Sequence, residues 1–126
     1  MQTKALRLYG KGDLRLDTFE LPEIKNDEIL VKIVTDSLCM STYKAQFLGV
    51  EHARVPSDIE KNPVMVGHEM CGDIIKVGSK WKNRYKEGNK FAFQPALPNG
   101  EMNTVGYAWR YCGGTATYAI IPSVYI

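Results

Sequence analysis

A chain of 126 residues with 44% hydrophobic and 24% charged side chains has the make-up of one globular domain around one core. Its formal net charge of +2 is too small to direct binding to nucleic acid or to an acidic membrane surface. No stretch approaches the roughly 20 apolar residues of a membrane span, Met1 to Arg7 lacks the apolar run of a secretory signal, and three widely spaced cysteines (Cys39, Cys71, Cys112) argue for a reducing, cytoplasmic setting rather than a disulfide scaffold.

In chain order, Lys4 to Tyr9 alternates as a half-buried strand does. Gly10-Lys11-Gly12-Asp13 reads as a tight turn, and Leu14 to Phe19 alternates again, so an opening hairpin is predicted. Pro22 to Asp27 is a polar connection, and Glu28 to Thr35, rich in β-branched aliphatics, gives the strongest strand signal. Ser41 to Gly49 has helical character, with a hydroxyl near its start and a glycine where a C-terminal cap belongs. Residues 50–62 are polar, contain Pro56 and predict a surface loop. Asp73 to Gly78, Phe91 to Phe93 and Thr115 to Ile121 predict further strands, the last two halted by Pro95 and Pro122, and residues 96–112 predict irregular structure. Short strands with one clear helix suggest a closed or nearly closed barrel. The Gly-x-Gly-x-x-Gly phosphate-binding pattern does not occur, and Gly113-Gly114 precedes a strand instead of opening a helix.

The chemistry concentrates at three residues. The apolar run Pro63 to Val66 delivers His68 and Glu69 side by side, with Gly67 and Gly72 allowing close backbone approach, and Cys39 supplies a thiolate upstream. Sulfur, nitrogen and oxygen donors together suit a zinc ion with one position left open. Each has a plainer structural reading. A free cysteine after a strand is by default a small core hydrophobe, a buried histidine can be satisfied by a carbonyl, and Ser41 can serve as a helix cap. Cys71 and Cys112 read as packing residues, and His52 as an exposed loop residue. Lys44 is either a solvated charge or a reach toward a substrate phosphate. The basic and aromatic stretch Lys80 to Lys86 reads as a solvated turn with Trp81 folded onto the barrel, rather than as a single-strand nucleic-acid platform.

Four segments in order carry a family resemblance. They are Ser37-Leu38-Cys39-Met40-Ser41, then Gly67-His68-Glu69-Met70-Cys71-Gly72, then Val77-Gly78 with Gly88-Asn89-Lys90-Phe91-Ala92, and lastly Gly113-Gly114-Thr115-Ala116-Thr117-Tyr118 with Pro122. Together the chain resembles the N-terminal, GroES-like catalytic domain of the zinc-dependent medium-chain alcohol and polyol dehydrogenases. Within that family, the wording around Thr35 to Cys39 and Phe93 to Leu97 is most similar to the L-sorbose 1-phosphate reductases. The resemblance implies a mainly β fold, a partly open GroES-like barrel with one or two short helices, over residues 1–126. It implies one catalytic zinc on Cys39 and His68, with Glu69 either a direct ligand or an orienting neighbour. It implies Ser41 as a proton relay, a small polyol or sugar-phosphate substrate, and NAD or NADP held by a Rossmann domain outside this chain. The chain then reads as a fragment of a two-domain enzyme, a homo-oligomer at full length. Two departures stand out: Met40 where the family has Gly, and Thr42 where it has Asp. Only Cys112 falls where many members carry four cysteines for a structural zinc.

A magnitude ranks the partners. Deprotonating an aliphatic alcohol near neutrality means moving a pKa of roughly 16 to roughly 7, about 12 kcal/mol. A general base supplies about 3–5 kcal/mol, so the resemblance implies that the metal carries the larger share and Ser41 acts as a conduit. Two other readings fit the sequence, a non-catalytic interaction barrel and a metal-free reductase of the same superfamily.

Overall fold

The computed structural model describes residues 1–97 and 100–126. Positions 98 and 99, part of the stretch expected to be irregular, lie outside the described residues. The alternating N-terminus forms β1 (Gln2–Gly10) and β2 (Asp13–Glu20), paired antiparallel from Gln2 opposite Glu20 to Gly10 opposite Asp13. Gly12, at φ +69, makes the turn between them. β3 (Ile29–Thr35) buries Ile29, Leu30 and Val31. Then come α1 (Met40–Leu48), the two-residue β4 (Val64–Met65), β5 (Cys71–Val77), β6 (Lys90–Ala92) and β7 (Tyr118–Ile121).

These strands build two antiparallel sheets, ordered β2-β1-β4 and β6-β5-β3-β7. They are stitched at one seam, where Ala5 bridges Ala116, Leu6 N–H donates to the Thr115 carbonyl (3.0 Å) and Thr117 N–H donates to the Lys4 carbonyl (2.9 Å). The expected strand from Thr115 is therefore divided. Residues 115–117 lie against β1, the Thr117 carbonyl also accepting from Ile33 N–H (3.0 Å), and Tyr118–Ile121 pairs with β3, so one segment serves both sheets. Thr3, buried at 1% exposure, is satisfied at this seam: its hydroxyl donates to the Tyr118 carbonyl (2.8 Å) and accepts from Tyr118 N–H (3.0 Å).

The main core lies between the sheets, with Val31, Met65, Met70, Val105 and Ala119 at its centre. Trp81 packs against it and donates its indole N–H to the Asp27 carbonyl (2.9 Å), as expected for a turn folded onto the barrel. A second cluster joins Leu8, Ala45, Val64 and Val66 to Val55 and Ile59. This corrects the reading of residues 50–62 as a surface loop. Two isolated apolar anchors pull the polar segment inward, and Ile59 is fully buried.

α1 departs from expectation at its start. Its N-cap is Cys39, in an extended conformation, and no side chain caps it, so Ser41 does not serve as the cap. At the other end Gly49, at φ +54, donates to the Ala45 carbonyl as the glycine stop predicts. Only Ala45 of the helix is buried, whereas Met40, Tyr43 and Phe47 are exposed.

Candidate metal centre

The donors come from two segments of the chain. β3 runs out at Thr35, and the following turn brings Cys39 to the N-terminus of α1, half-buried. Val64 to Val66 are each at most 1% exposed. Burying such side chains contributes about 1.5–3 kcal/mol apiece, which anchors the segment that ends in Gly67-His68-Glu69. His68 is buried at 7% exposure, while Glu69 reaches outward. One ligand atom from each of Cys39, His68 and Glu69 lies within 4.8 Å of the others. In a tetrahedral zinc site with bonds of roughly 2.0–2.3 Å, ligand atoms stand about 3.5 Å apart. The three donors are thus about an ångström from closing on an ion, a distance side-chain rotation covers.

One further observation fits a metal. The Ser41 hydroxyl donates to Cys39 Sγ (2.9 Å) and lies 3.3 Å from His68 Nε2, so it touches two of the three donors. The other ring nitrogen, Nδ1 of His68, is buried without a hydrogen-bond partner among the described residues. A buried polar atom left unpaired is rare enough to call for a cause, and a histidine that binds a metal through one nitrogen normally engages the other. Here Gly106, at φ +88, packs over that edge; a Cβ at Gly106 would stand 3.0 Å from Nδ1.

The site has neighbours that sequence reasoning missed. The Tyr107 ring stacks between two imidazoles, 5.5 Å from His68 at 21° and 5.2 Å from His52 at 18°, centroid to centroid. His52 is therefore not an idle exposed residue. It is half-buried, and burial, followed by the nearby charges of Lys44 and Arg54, holds its pKa below the ordinary imidazole value. Arg54 also ties the 101–104 segment down, donating to Thr104 Oγ1 (3.1 Å) and to the Glu101 carbonyl (3.5 Å). Asp36 is a second omission. Its carboxylate accepts from Glu69 N–H (3.1 Å) and from the Thr115 hydroxyl (2.8 Å). Asp36 had no sequence signal beyond its place in the Thr35 to Cys39 wording and Tyr107 had none, because both act through contacts distant along the chain.

Of the remaining candidates, Lys44 is exposed on α1. Cys112 is buried in the main core at 1% exposure, and burial drives its thiol pKa far up, so it is a packing residue as expected. Cys71 begins β5, half-buried. The site is open on the side of α1, where Leu38 and Met40 flank Cys39 at 97% and 75% exposure. No helix among the described residues is long and apolar enough to cross a membrane.

The fold is mainly β, with a Cys-His-Glu cluster at the head of α1. Residues 25–126 match the alcohol dehydrogenase GroES-like domain, and the chain belongs to that family. It is 45% identical to L-sorbose 1-phosphate reductase of Klebsiella pneumoniae over 122 residues, 96% of this chain and 30% of that protein. It is 48% identical to mannitol-1-phosphate 5-dehydrogenase of Aliivibrio fischeri over 125 residues, 99% of this chain and 30% of that protein. The chain thus spans about 30% of the length of the curated relatives it matches. Its fold is that of 2R,3R-butanediol dehydrogenase from Bacillus subtilis, with a TM-score of 0.79 at 24% identity, covering 98% of this chain and 39% of that one.

Proposed function

We propose that residues 1–126 form the metal-holding catalytic domain of a cytoplasmic, NAD(P)-dependent oxidoreductase that interconverts a polyol or sugar-phosphate alcohol and its ketone. The observation that carries this reading is the convergence of Cys39, His68 and Glu69, with donor atoms within 4.8 Å of one another. Names borne by relatives at 45% and 48% identity support a sugar-phosphate substrate, L-sorbose 1-phosphate among them.

Cys39 and His68 would hold the zinc, with Glu69 as the third protein donor. Zinc, when bound, would supply the positive charge that favours the deprotonated alcohol or polarises the carbonyl, and a nicotinamide would supply the hydride chemistry. Ser41 is the catalytic residue of this chain. Its hydroxyl, held beside Cys39 and His68, would relay the proton, accepting the substrate's while passing its own to a water molecule, with the reverse transfer in reduction. His68 is held in place by the Tyr107 ring, which covers its face. The NAD(P) site is assigned to the part of the relatives' length that this chain does not span. The exposed apolar rim of Leu38, Met40, Tyr43 and Phe47 would be covered there, excluding water from the cluster.

Metal analysis of protein prepared without chelator tests the reading. About one zinc per chain is expected, lost in Cys39→Ala and in His68→Ala. Wild-type protein that holds no zinc when supplied with it would overturn the assignment. The isolated chain should show no turnover of a ketose phosphate with NAD(P)H, and turnover would refute the division of the active site.

A further inference from the structure

Asp36 stands where the three segments that make the metal centre meet. It follows β3 directly and lies three residues before Cys39, on the cysteine's own segment. One oxygen of its carboxylate accepts from Glu69 N–H (3.1 Å), on the histidine's segment. The other accepts from the Thr115 hydroxyl (2.8 Å), on the segment that seals the two sheets. Those last two segments are already paired, Gly114 N–H to the Gly67 carbonyl (2.9 Å) and Thr115 N–H to the Val66 carbonyl (3.1 Å). Asp36 adds a side-chain link from them to the turn that carries Cys39.

Two glycines make room for this carboxylate. Gly67 has φ +90, and a Cβ there would press into Asp36 while standing 2.5 Å from Thr115 N and Oγ1. A Cβ on Gly114 would stand 2.5 Å from Asp36 Oδ1. The carboxylate therefore fills a cradle that only side-chain-free positions leave open. Among the described residues no cation forms an ion pair with Asp36; its hydrogen-bond donors are a main-chain N–H and a hydroxyl. Its contacts fix the backbone at Glu69, the residue next to His68, and so set where both side chains point.

We propose that Asp36 is a positioning residue for the metal centre, locking the Gly67-His68-Glu69 backbone to the Cys39 segment so that the three donors converge before any ion arrives. This rests on the reading of Cys39, His68 and Glu69 as ligands, and the test separates the two. Partners that orient metal ligands from outside typically change metal affinity by about 10–100-fold when removed.

The experiment uses the 126-residue chain as wild type, Asp36→Ala, Asp36→Asn and Thr115→Val. In the metal-free protein, hydrogen exchange at the Glu69 amide is followed by NMR. Exchange should accelerate at least about 10-fold in Asp36→Ala, with the amides of Val31 and Ala119 in the core unchanged. Asparagine can accept from Glu69 N–H and donate to the Thr115 hydroxyl, so Asp36→Asn should restore slow exchange. In the loaded protein, zinc affinity from chelator competition should fall about 10–100-fold in Asp36→Ala, with an altered visible spectrum of the cobalt-substituted site. Asp36→Asn should stay near wild type and Thr115→Val should fall between. Should Asp36→Ala not fold, Asp36→Asn and Thr115→Val carry the comparison, and wild-type exchange and metal binding in Thr115→Val would overturn the proposal. Unchanged Glu69 exchange in a folded Asp36→Ala overturns it likewise, as do wild-type affinity and spectrum. If wild type binds no zinc, the ligand reading fails, and the exchange measurement alone still decides whether Asp36 holds this backbone.

Discussion

The carboxylate of Asp36 and the hydroxyl of Thr115 meet across 2.8 Å, although 79 positions separate them in sequence. The contact ties the end of the central strand β3 to the segment closing the barrel, and Gly67 sits against both partners. Gly67→Ala should therefore be much worse than an ordinary glycine replacement. Gly88 offers the control, because it too has positive φ (+85) but nothing within 4 Å of an added Cβ. Gly88→Ala should cost about 1–3 kcal/mol from backbone strain alone, and Gly67→Ala about 1–3 kcal/mol more from crowding. Urea denaturation of the two variants checks this, and equal losses would show that Gly67 has room to spare.

Ile59 lies in a segment that looks solvent-facing by composition, yet it is fully buried beside Leu8 and Val64. Ile59→Ala should destabilise the fold by about 2–5 kcal/mol. Leu38→Ala, at a position 97% exposed, should change stability by no more than about 0.5 kcal/mol. The midpoints of chemical denaturation compare the two directly.

The cysteines should differ in reactivity. Cys112 is buried, and burial raises its thiol pKa, so it should resist alkylation until the protein unfolds. Cys39 and Cys71 are half-buried and should react in the native state. Added zinc should protect Cys39 and leave Cys71 reactive. Peptide mapping after iodoacetamide treatment reads each site; equal protection of both would remove Cys39 from the metal centre.

His52 should make stability depend on pH. Burial, then Lys44 and Arg54, lower its pKa in the folded protein. The unfolded chain therefore binds this proton more readily than the native one. The stabilising contribution is fully present above about pH 6.5 and is lost as the pH falls through that value toward the lower folded pKa. His52→Phe keeps a ring beside Tyr107 and removes the titration. Between roughly pH 7.5 and 5.5, the denaturation midpoint of wild type should fall more steeply than that of His52→Phe. Parallel curves would count against the assignment.

Much of this architecture is legible from local pattern. The hairpin follows from alternation on either side of Gly10 to Asp13, and β3 from its run of aliphatics. The Cys39, His68 and Glu69 cluster was legible because these residue types suit one metal and fall in ordered segments. What escaped is set by contacts between residues distant in sequence. The hydroxyl of Ser41 suggests a cap, but the extended turn at Cys39 points it at sulfur instead. Ile59 has only Val55 at helical spacing, and the Pro56-Ser57-Asp58 between them breaks any periodic run that would mark its burial. Asp36, His52 and Tyr107 acquire their roles only when loops from separate parts of the chain meet, which no periodicity records.

The seam between Lys4 and Thr117 has a consequence for biosynthesis. β1 cannot complete its pairing until the stretch around Thr115 to Thr117 has also left the ribosome, so the barrel closes late and over a long span of polypeptide. Until then the hairpin's inner face is uncovered, and a nascent chain arrested before Thr115 should need a chaperone's shelter that one extended past Ile121 does not.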